Sequence, residues 1–249
     1  MRRRAERVAA GRFVVEGPQA VREALASLLE LYVVDLDDPL ARQASAAGVE
    51  VVLVDGTVLA ALAETVSPQG LVGVAPLLDV PLTQALAPGA RLVAVMHQVS
   101  DPGNAGTVIR TADAAGADAV VLSTGSVDLH NGKCVRASAG SLWHLPVVGD
   151  ASVEQALAQL RRTGLQVLAT SGEAEDDLDD LVDEGVLAAP TAWVFGNEAA
   201  GLTEDVLAAA DRTVRIPIRG GAESLNLATA AAVCLYASAR AQRRPTVTP

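Results

Sequence analysis

The chain has 249 residues, 50% hydrophobic and 2% aromatic, with a formal net charge of −11; this suffices for one large domain or two small ones, with cores of Leu, Val and Ala. No apolar run approaches the roughly 18 to 20 residues that span a bilayer. The negative balance excludes indiscriminate binding of nucleic acid, which needs local cations, so a polyanion would meet the arginines crowding the two ends: Arg2, Arg3, Arg4, Arg7 and Arg12, then Arg240, Arg243 and Arg244.

Up to about residue 78, short apolar runs alternate with helical spacing. Strands are predicted over 13–15, 31–34, 50–54 and 71–75, and helices over 18–29, 39–47 and 57–63, the first opened by a helix-compatible proline. This makes a small α/β unit, 1–78. The Pro-punctuated stretch 77–91 reads as a linker, with 79–90 as its body. From 91 to 249 the alternation resumes. Strands are predicted over 92–96, 119–122, 145–148, 166–169, 193–195 and 213–216, and helices over 106–115, 153–161, 203–210 and 226–240. Such alternation implies a largely parallel sheet covered on both faces, with ligands beyond the carboxyl ends of its strands. The basic N-terminus has no apolar stretch or cleavage site, so it does not read as a secretory signal. Cys134 and Cys234 lack metal-ligand spacing and read as buried or half-buried thiols. The expectation is a cytoplasmic protein without a metal.

Three polar, Gly-rich clusters follow predicted strands. In 97–116 (HQVSDPGNAGTVIRTADAAG), Asp101 and Pro102 turn the chain, and Gly103 and Gly106 permit close backbone approach. Asn104 stands where a helix begins and Arg110 follows inside it. A capped helix with an exposed arginine would look the same. In 193–202 (WVFGNEAAGL), Gly196 lets a ligand lie against the backbone and Glu198 presents a carboxylate there, though Gly-Asn-Glu alone is a common loop. In 215–236 (RIPIRGGAESLNLATAAAVCLY), Ile216-Pro217-Ile218 is extended with one N–H removed. Gly220 and Gly221 bend the chain, and Ser224 and Asn226 flank the start of an Ala-rich helix. Free N–H groups at such a start suit a ligand carboxylate or ring nitrogen.

Together these residues resemble the SpoU family of RNA ribose methyltransferases, of the knotted SPOUT superfamily. That family shows N-x-G-x-x-x-R, then G-x-E-x-x-G-L, then I-P-M-x-G-x-x-x-S-L-N. Here they stand as Asn104, Gly106 and Arg110; then Gly196, Glu198, Gly201 and Leu202; then Ile216, Pro217, Gly220, Ser224, Leu225 and Asn226. A fourth family-like string, KCVRASAG, occupies 133–140. The likeness covers roughly 93–236, and the segment FVVEGPQAVREAL is similar to the small ribosomal-protein-like RNA-binding domain that often precedes the catalytic part. Two departures stand out: Ile218 replaces the usual methionine, a volume-conserving change, and His130-Asn131-Gly132 stands where relatives often have an aromatic residue, Asn and Pro.

The resemblance implies a trefoil-knotted α/β methyltransferase domain behind an RNA-binding unit, S-adenosylmethionine as cofactor, and a homodimer packed partly through helix 226–240. Its implied substrate is RNA, large-subunit ribosomal RNA first and tRNA second. Asn104, Arg110, Glu198, Ser224 and Asn226 would be catalytic. Thr170, Ser171, Gly196, Asn197, Glu198, Ile216, Pro217, Ile218, Ser224 and Leu225 would hold the cofactor; Arg12, Lys133, Arg136 and Ser138 would contact RNA. Arginine hardly deprotonates, so Arg110 fits a phosphate clamp better than a general base. Glu198 would orient Arg110 or Asn104. His97 reads as structural and His144 as packing or a surface contact. The rivals are weaker. A nicotinamide oxidoreductase would need G-x-G-x-x-G after an early strand, an ordinary Rossmann methyltransferase a Gly-rich first turn, and a non-catalytic RNA-binding protein would not need these clusters together.

Overall fold

The structure, a computed structural model, describes residues 3–242; Arg2, Arg243 and Arg244 lie outside the described residues. It opens with a helix absent from the prediction, α1 (Arg4–Ala10), stopped by Gly11 at φ 63°. Its Glu, Ala and Arg residues are good helix formers, and the following glycine is the usual stop.

The first sheet is laid down as β1 (Arg12–Glu16), α2 (Pro18–Ala24), β2 (Glu30–Val33), α3 (Pro39–Ala46), β3 (Glu50–Leu53), α4 (Gly56–Leu62) and β4 (Leu71–Pro76). Its order is β1-β4-β2-β3, antiparallel around β4 and parallel between β2 and β3. Alternation along β1 and β2 buries Phe13, Val15, Leu31 and Val33. The helix predicted over 18–29 is shorter. It leaves through a 3-10 turn, Leu25–Ser27, so that Leu28 reaches the core and the Leu29 N–H joins the Val74 carbonyl at 2.8 Å.

The stretch predicted as a linker is packed. The Val80 N–H donates to the Val147 carbonyl, and α5 (Leu82–Ala85) buries Ala85 while Leu86 is buried after it. Next come β5 (Leu92–Met96), α6 (Pro102–Ala114), β6 (Ala119–Ser123), α7 (Gly132–Ser138), β7 (Val147–Ala151), α8 (Val153–Arg162) and β8 (Gln166–Thr170). Then follow β9 (Asp176–Asp177), α9 (Leu178–Asp183), β10 (Thr191–Phe195), α10 (Glu204–Ala208), β11 (Arg212–Arg215) and α11 (Leu227–Ala241). All neighbours in the order β7-β6-β5-β10-β8-β11-β9 run parallel. β5 and β10 are buried along their whole length, as parallel strands covered on both faces must be. One face packs Met96, Trp193 and Phe195 against α6 and α11; the other packs Val93, Val95 and Val194 against α8.

Further elements of the second sheet depart from prediction. β7 starts at Val147, after Pro146, which has no N–H for the ladder. The acidic run folds as β9 and α9, because arginines on and just after the adjacent strand β11 balance it: Arg212–Asp176 at 3.3 Å, Arg215–Asp177 at 3.5 Å and Arg219–Asp179 at 2.6 Å. Helix α7, unpredicted, presses on α6 at Gly106. A Cβ there would lie 2.4 Å from the Cys134 carbonyl oxygen and 2.7 Å from the Ala137 methyl.

The two sheets meet along a polar seam. Arg7, 3% exposed, pairs with Asp128 at 2.6 Å; Arg4 pairs with Asp150 at 2.9 Å. Phe13 packs on His130 with ring centroids 4.7 Å apart, and the His130 Nε2 accepts the Leu78 N–H at 2.9 Å. Trp143 Nε1 donates to Ser27 Oγ at 3.0 Å. His144 bridges Asp113 (2.7 Å) and Glu23 (3.2 Å), and those bonds, Asp113 first, raise its pKa.

Two outcomes follow for measurement. Gly106→Ala should lower unfolding stability by about 1–3 kcal/mol in denaturant titration, since backbone lies opposite. His144 has a raised pKa, so its contribution is complete below the unfolded value near 6.5 and fades as pH rises through the folded one. The melting temperature lost in His144→Ala should therefore shrink between about pH 6 and pH 9.

Candidate active site

The three sequence clusters converge where β5, β8, β10 and β11 end. Parallel strands bring their carboxyl ends to one rim, and the loops that leave them enclose a cleft. The cleft has two joined lobes. The smaller, about 570 Å³, is walled by Val214, Ile216, Pro217 and Ile218 with Asp177 and Arg215. The larger, about 870 Å³, is walled by Asn104, Gly196, Asn197, Glu198 and Asn226. Thr170, Ser171, Ser224 and Leu225 border both.

Glu198 organises the larger lobe. One carboxylate oxygen accepts the N–H of Ser100 (3.1 Å) and its hydroxyl (2.9 Å); the other accepts the Asp101 N–H (3.1 Å) and Asn104 Nδ2 (3.0 Å). Asn104 Oδ1 accepts Asn226 Nδ2 at 3.1 Å, and Asn226 Oδ1 caps α11 at the Ala228 N–H. One chain of bonds thus ties the ends of β10 and β5 to the start of α11. Burial pushes the Glu198 carboxyl up, but the bonds from Asn104, Ser100 and Asp101 outweigh it and hold it down at about 2. Four donors fill its acceptor sites, so at neutral pH Glu198 is a spent anion and a poor base. Asp101 caps α6 at the Asn104 N–H (2.8 Å) and pairs with Lys133 (2.6 Å), which lowers its own pKa.

Other predicted residues serve the loops themselves. Asn197 donates to the Gln98 carbonyl at 2.7 Å and accepts the Ala199 and Ala200 N–H groups. Gly196 is close-packed by its own loop: a Cβ there would meet the Gly201 carbonyl carbon at 2.3 Å. The glycine therefore closes a turn, where a ligand cradle is the sequence expectation. Thr170 Oγ1 donates to the Val194 carbonyl at 3.1 Å. His97 is buried with Nδ1 3.1 Å from Ser123 Oγ, and burial lowers its pKa.

Arg110 stands apart. It is exposed on α6, borders neither lobe and has no bonded partner among the described residues. Six residues of helix place it about 9 Å along the axis from Asn104. The expected RNA contacts divide. Arg12, on the first sheet, pairs with Glu30 at 3.1 Å, and Lys133 is exposed at Asp101. Arg136 lies at the seam, 3.7 Å from the buried Glu16 carboxylate. Ser138 needs correction: it is fully buried and its hydroxyl donates to the Val135 carbonyl, because it faces the crossing of α6 and α7. Sequence reasoning missed Ser100, Asp177, Arg215 and Glu223. Nothing in the local sequence marks any of these four as part of a site.

Residues 91–236 match the SpoU rRNA Methylase family. The chain belongs to that family. Its first 73 residues match the MRM3-like substrate binding domain. This SpoU-family chain is 34% identical, over 93% of its length and 90% of the relative's, to "23S rRNA (guanosine(2553)-2'-O)-methyltransferase RlmP" of Bacillus subtilis. It is 33% identical to "23S rRNA (guanosine-2'-O-)-methyltransferase RlmB" of Ralstonia nicotianae, covering 80% of each. The crystal structure of the SpoU methyltransferase AviRb from Streptomyces viridochromogenes, in complex with AdoMet, superposes with a TM-score of 0.84 at 29% identity, over 97% of this chain and 94% of that one. An AdoMet-bound rRNA methyltransferase from Sinorhizobium meliloti superposes at 0.81 and 30% identity, over 96% and 90%.

Glu198→Gln would turn an amide N–H₂ toward groups that already donate. Its melting temperature should fall below the parent's at neutral pH. A depressed carboxyl gives stability above its unfolded pKa near 4.3 and loses it as pH falls through the folded value. The difference between the two proteins should therefore close as pH drops from about 5 toward 2.

Proposed function

We propose that this SpoU-family protein moves a methyl group from S-adenosylmethionine to a ribose 2′-hydroxyl of large-subunit ribosomal RNA. The observation that carries this reading is the two-lobed cleft in which Asn104, Glu198 and Asn226 are hydrogen-bonded together beside Ser224. The lobes are of the size that encloses a nucleoside-bearing ligand. An apolar wall at Ile216 to Ile218 suits an adenine ring, and the polar rim suits the rest. Curated relatives of nearly full length carry ribosomal RNA names. A structure titled for "2-OH methylation of C/U34 on tRNA" covers 62% of this chain, which favours ribosomal RNA over tRNA.

When bound, S-adenosylmethionine supplies an electrophilic methyl on a positively charged sulfur. The chain's part is positioning and charge. Ile216, Pro217, Ile218 and Leu225 hold the adenosine, with Thr170, Ser171, Gly196 and Asn197 shaping the neighbouring wall. Asn104, Asn226 and Ser224 present amide and hydroxyl groups to the ribose, aligned by Glu198. Alignment of this kind removes much of the entropy cost of a displacement. The ribose oxygen bonds to the methyl carbon as the carbon–sulfur bond breaks, its electron pair passing to sulfur and the hydroxyl proton to water. Arg110, exposed on α6 outside the cleft, clamps an RNA phosphate and so helps to seat the substrate.

The same reading divides the chain into an RNA-binding unit at 1–78, resembling a ribosomal protein, a joint at 79–90, and a catalytic domain at 91–249. We place a trefoil knot in the latter, where 216–226 leads from β11 to α11 past the loop folded on Gly196. We also place a homodimer face on α11, where Val233 (39%) and Tyr236 (53%) are exposed one turn apart, and assign the protein to the cytoplasm.

Calorimetric titration with S-adenosylmethionine should show one site per chain, weakened about tenfold or more by Ile216→Trp in the smaller lobe. Labelled methyl transfer to ribosomal RNA should yield a linkage resistant to alkali. No binding with or without ribosomal RNA would overturn the reading. Full activity in Arg110→Lys would overturn the bidentate clamp.

A further inference from the structure

We propose that Glu223 is the counter-charge by which the cleft prefers the charged methyl donor to its neutral demethylated product. This rests on the methyltransferase reading above. Glu223 lies between the Gly220-Gly221 bend and Ser224, is exposed, and is the one charged residue among those described that borders both lobes. It has no hydrogen-bond or ion partner among the described residues. The other carboxylates of the cleft differ. Asp177 caps α9 at the Asp179 N–H and pairs with Arg215 at 3.5 Å. Glu198 is saturated by four donors. Glu173 borders the larger lobe only.

The donor's sulfur is the middle of the molecule, with adenosine on one side and the methionine chain on the other. A donor spanning both lobes therefore sets its sulfonium at their junction, beside Glu223. The methyl leaves sulfur with both bonding electrons staying behind, so the sulfonium charge disappears and the carboxylate loses its attraction. S-adenosylhomocysteine is then held less tightly than the donor it came from. The attraction weakens on the way to the transition state, so its benefit appears in donor binding and product release, not in the chemical step. Solvent screening at an exposed carboxylate keeps the effect small.

The test is calorimetry of the full chain with S-adenosylmethionine and S-adenosylhomocysteine separately. Glu223→Gln should weaken the donor roughly threefold and leave the product unchanged, a loss that shrinks at about 0.5 M salt. Glu223→Asp should retain part of the preference, and Glu173→Gln all of it. An unchanged affinity ratio in Glu223→Gln, or an equal change in Glu173→Gln, overturns the assignment while leaving the methyltransferase reading intact. Failure of the parent chain to bind either molecule overturns both.

Discussion

The cleft depends on a single carboxylate that has nothing left to accept. Glu198 follows β10, yet all its partners belong to the loop after β5 and the first turn of α6. Through Asn104 the same anion reaches Asn226, which caps the last helix. Three loops distant in sequence are thus held by groups that cannot be moved singly, because each loss strands another donor or acceptor. Preorganisation of this kind suits a site whose task is alignment.

The seam gives the second constraint. Arg7 is almost wholly buried against Asp128, and hydrogen bonds hold that carboxyl well below its usual range despite the burial that opposes them. His130 takes part in the same place, packed at a tilt on Phe13 and fixed by the Leu78 N–H. The residues where this chain departs from its relatives' usual aromatic-Asn-Pro string thus contribute to packing between the two sheets.

The large sheet is legible because its strands are continuous apolar runs, and buried parallel strands must be. The three clusters are legible as strings at strand ends. What each residue does there depends on what lies opposite. Gly106 reads as a point of close backbone approach and is one, at the crossing of α6 and α7; Gly196 reads as room for a ligand, yet backbone of the same chain fills that room. Ser138 reads as a polar contact and is interior, since it shares the buried face of α7 with Cys134 and Val135 and its hydroxyl is satisfied by the Val135 carbonyl. Arg110 belongs to the first motif by spacing, but helical rotation turns it away from Asn104. Glu223 is invisible for the opposite reason: an unpaired acid on a glycine-rich loop is unremarkable until two lobes meet at it.

The stretch predicted as a linker is stitched to the second sheet at Val80, Ala85 and Leu86. With α1 clasped across the other side, the first sheet has no free tether on which to swing. Under the proposed function the protein behaves as a caliper: the span between the surface that recognises RNA and the point of methyl transfer is set when the chain folds. Targets are then sorted by whether their own shape places a ribose at that span, and one short stem or bulge too many would exclude a transcript whose local sequence is correct.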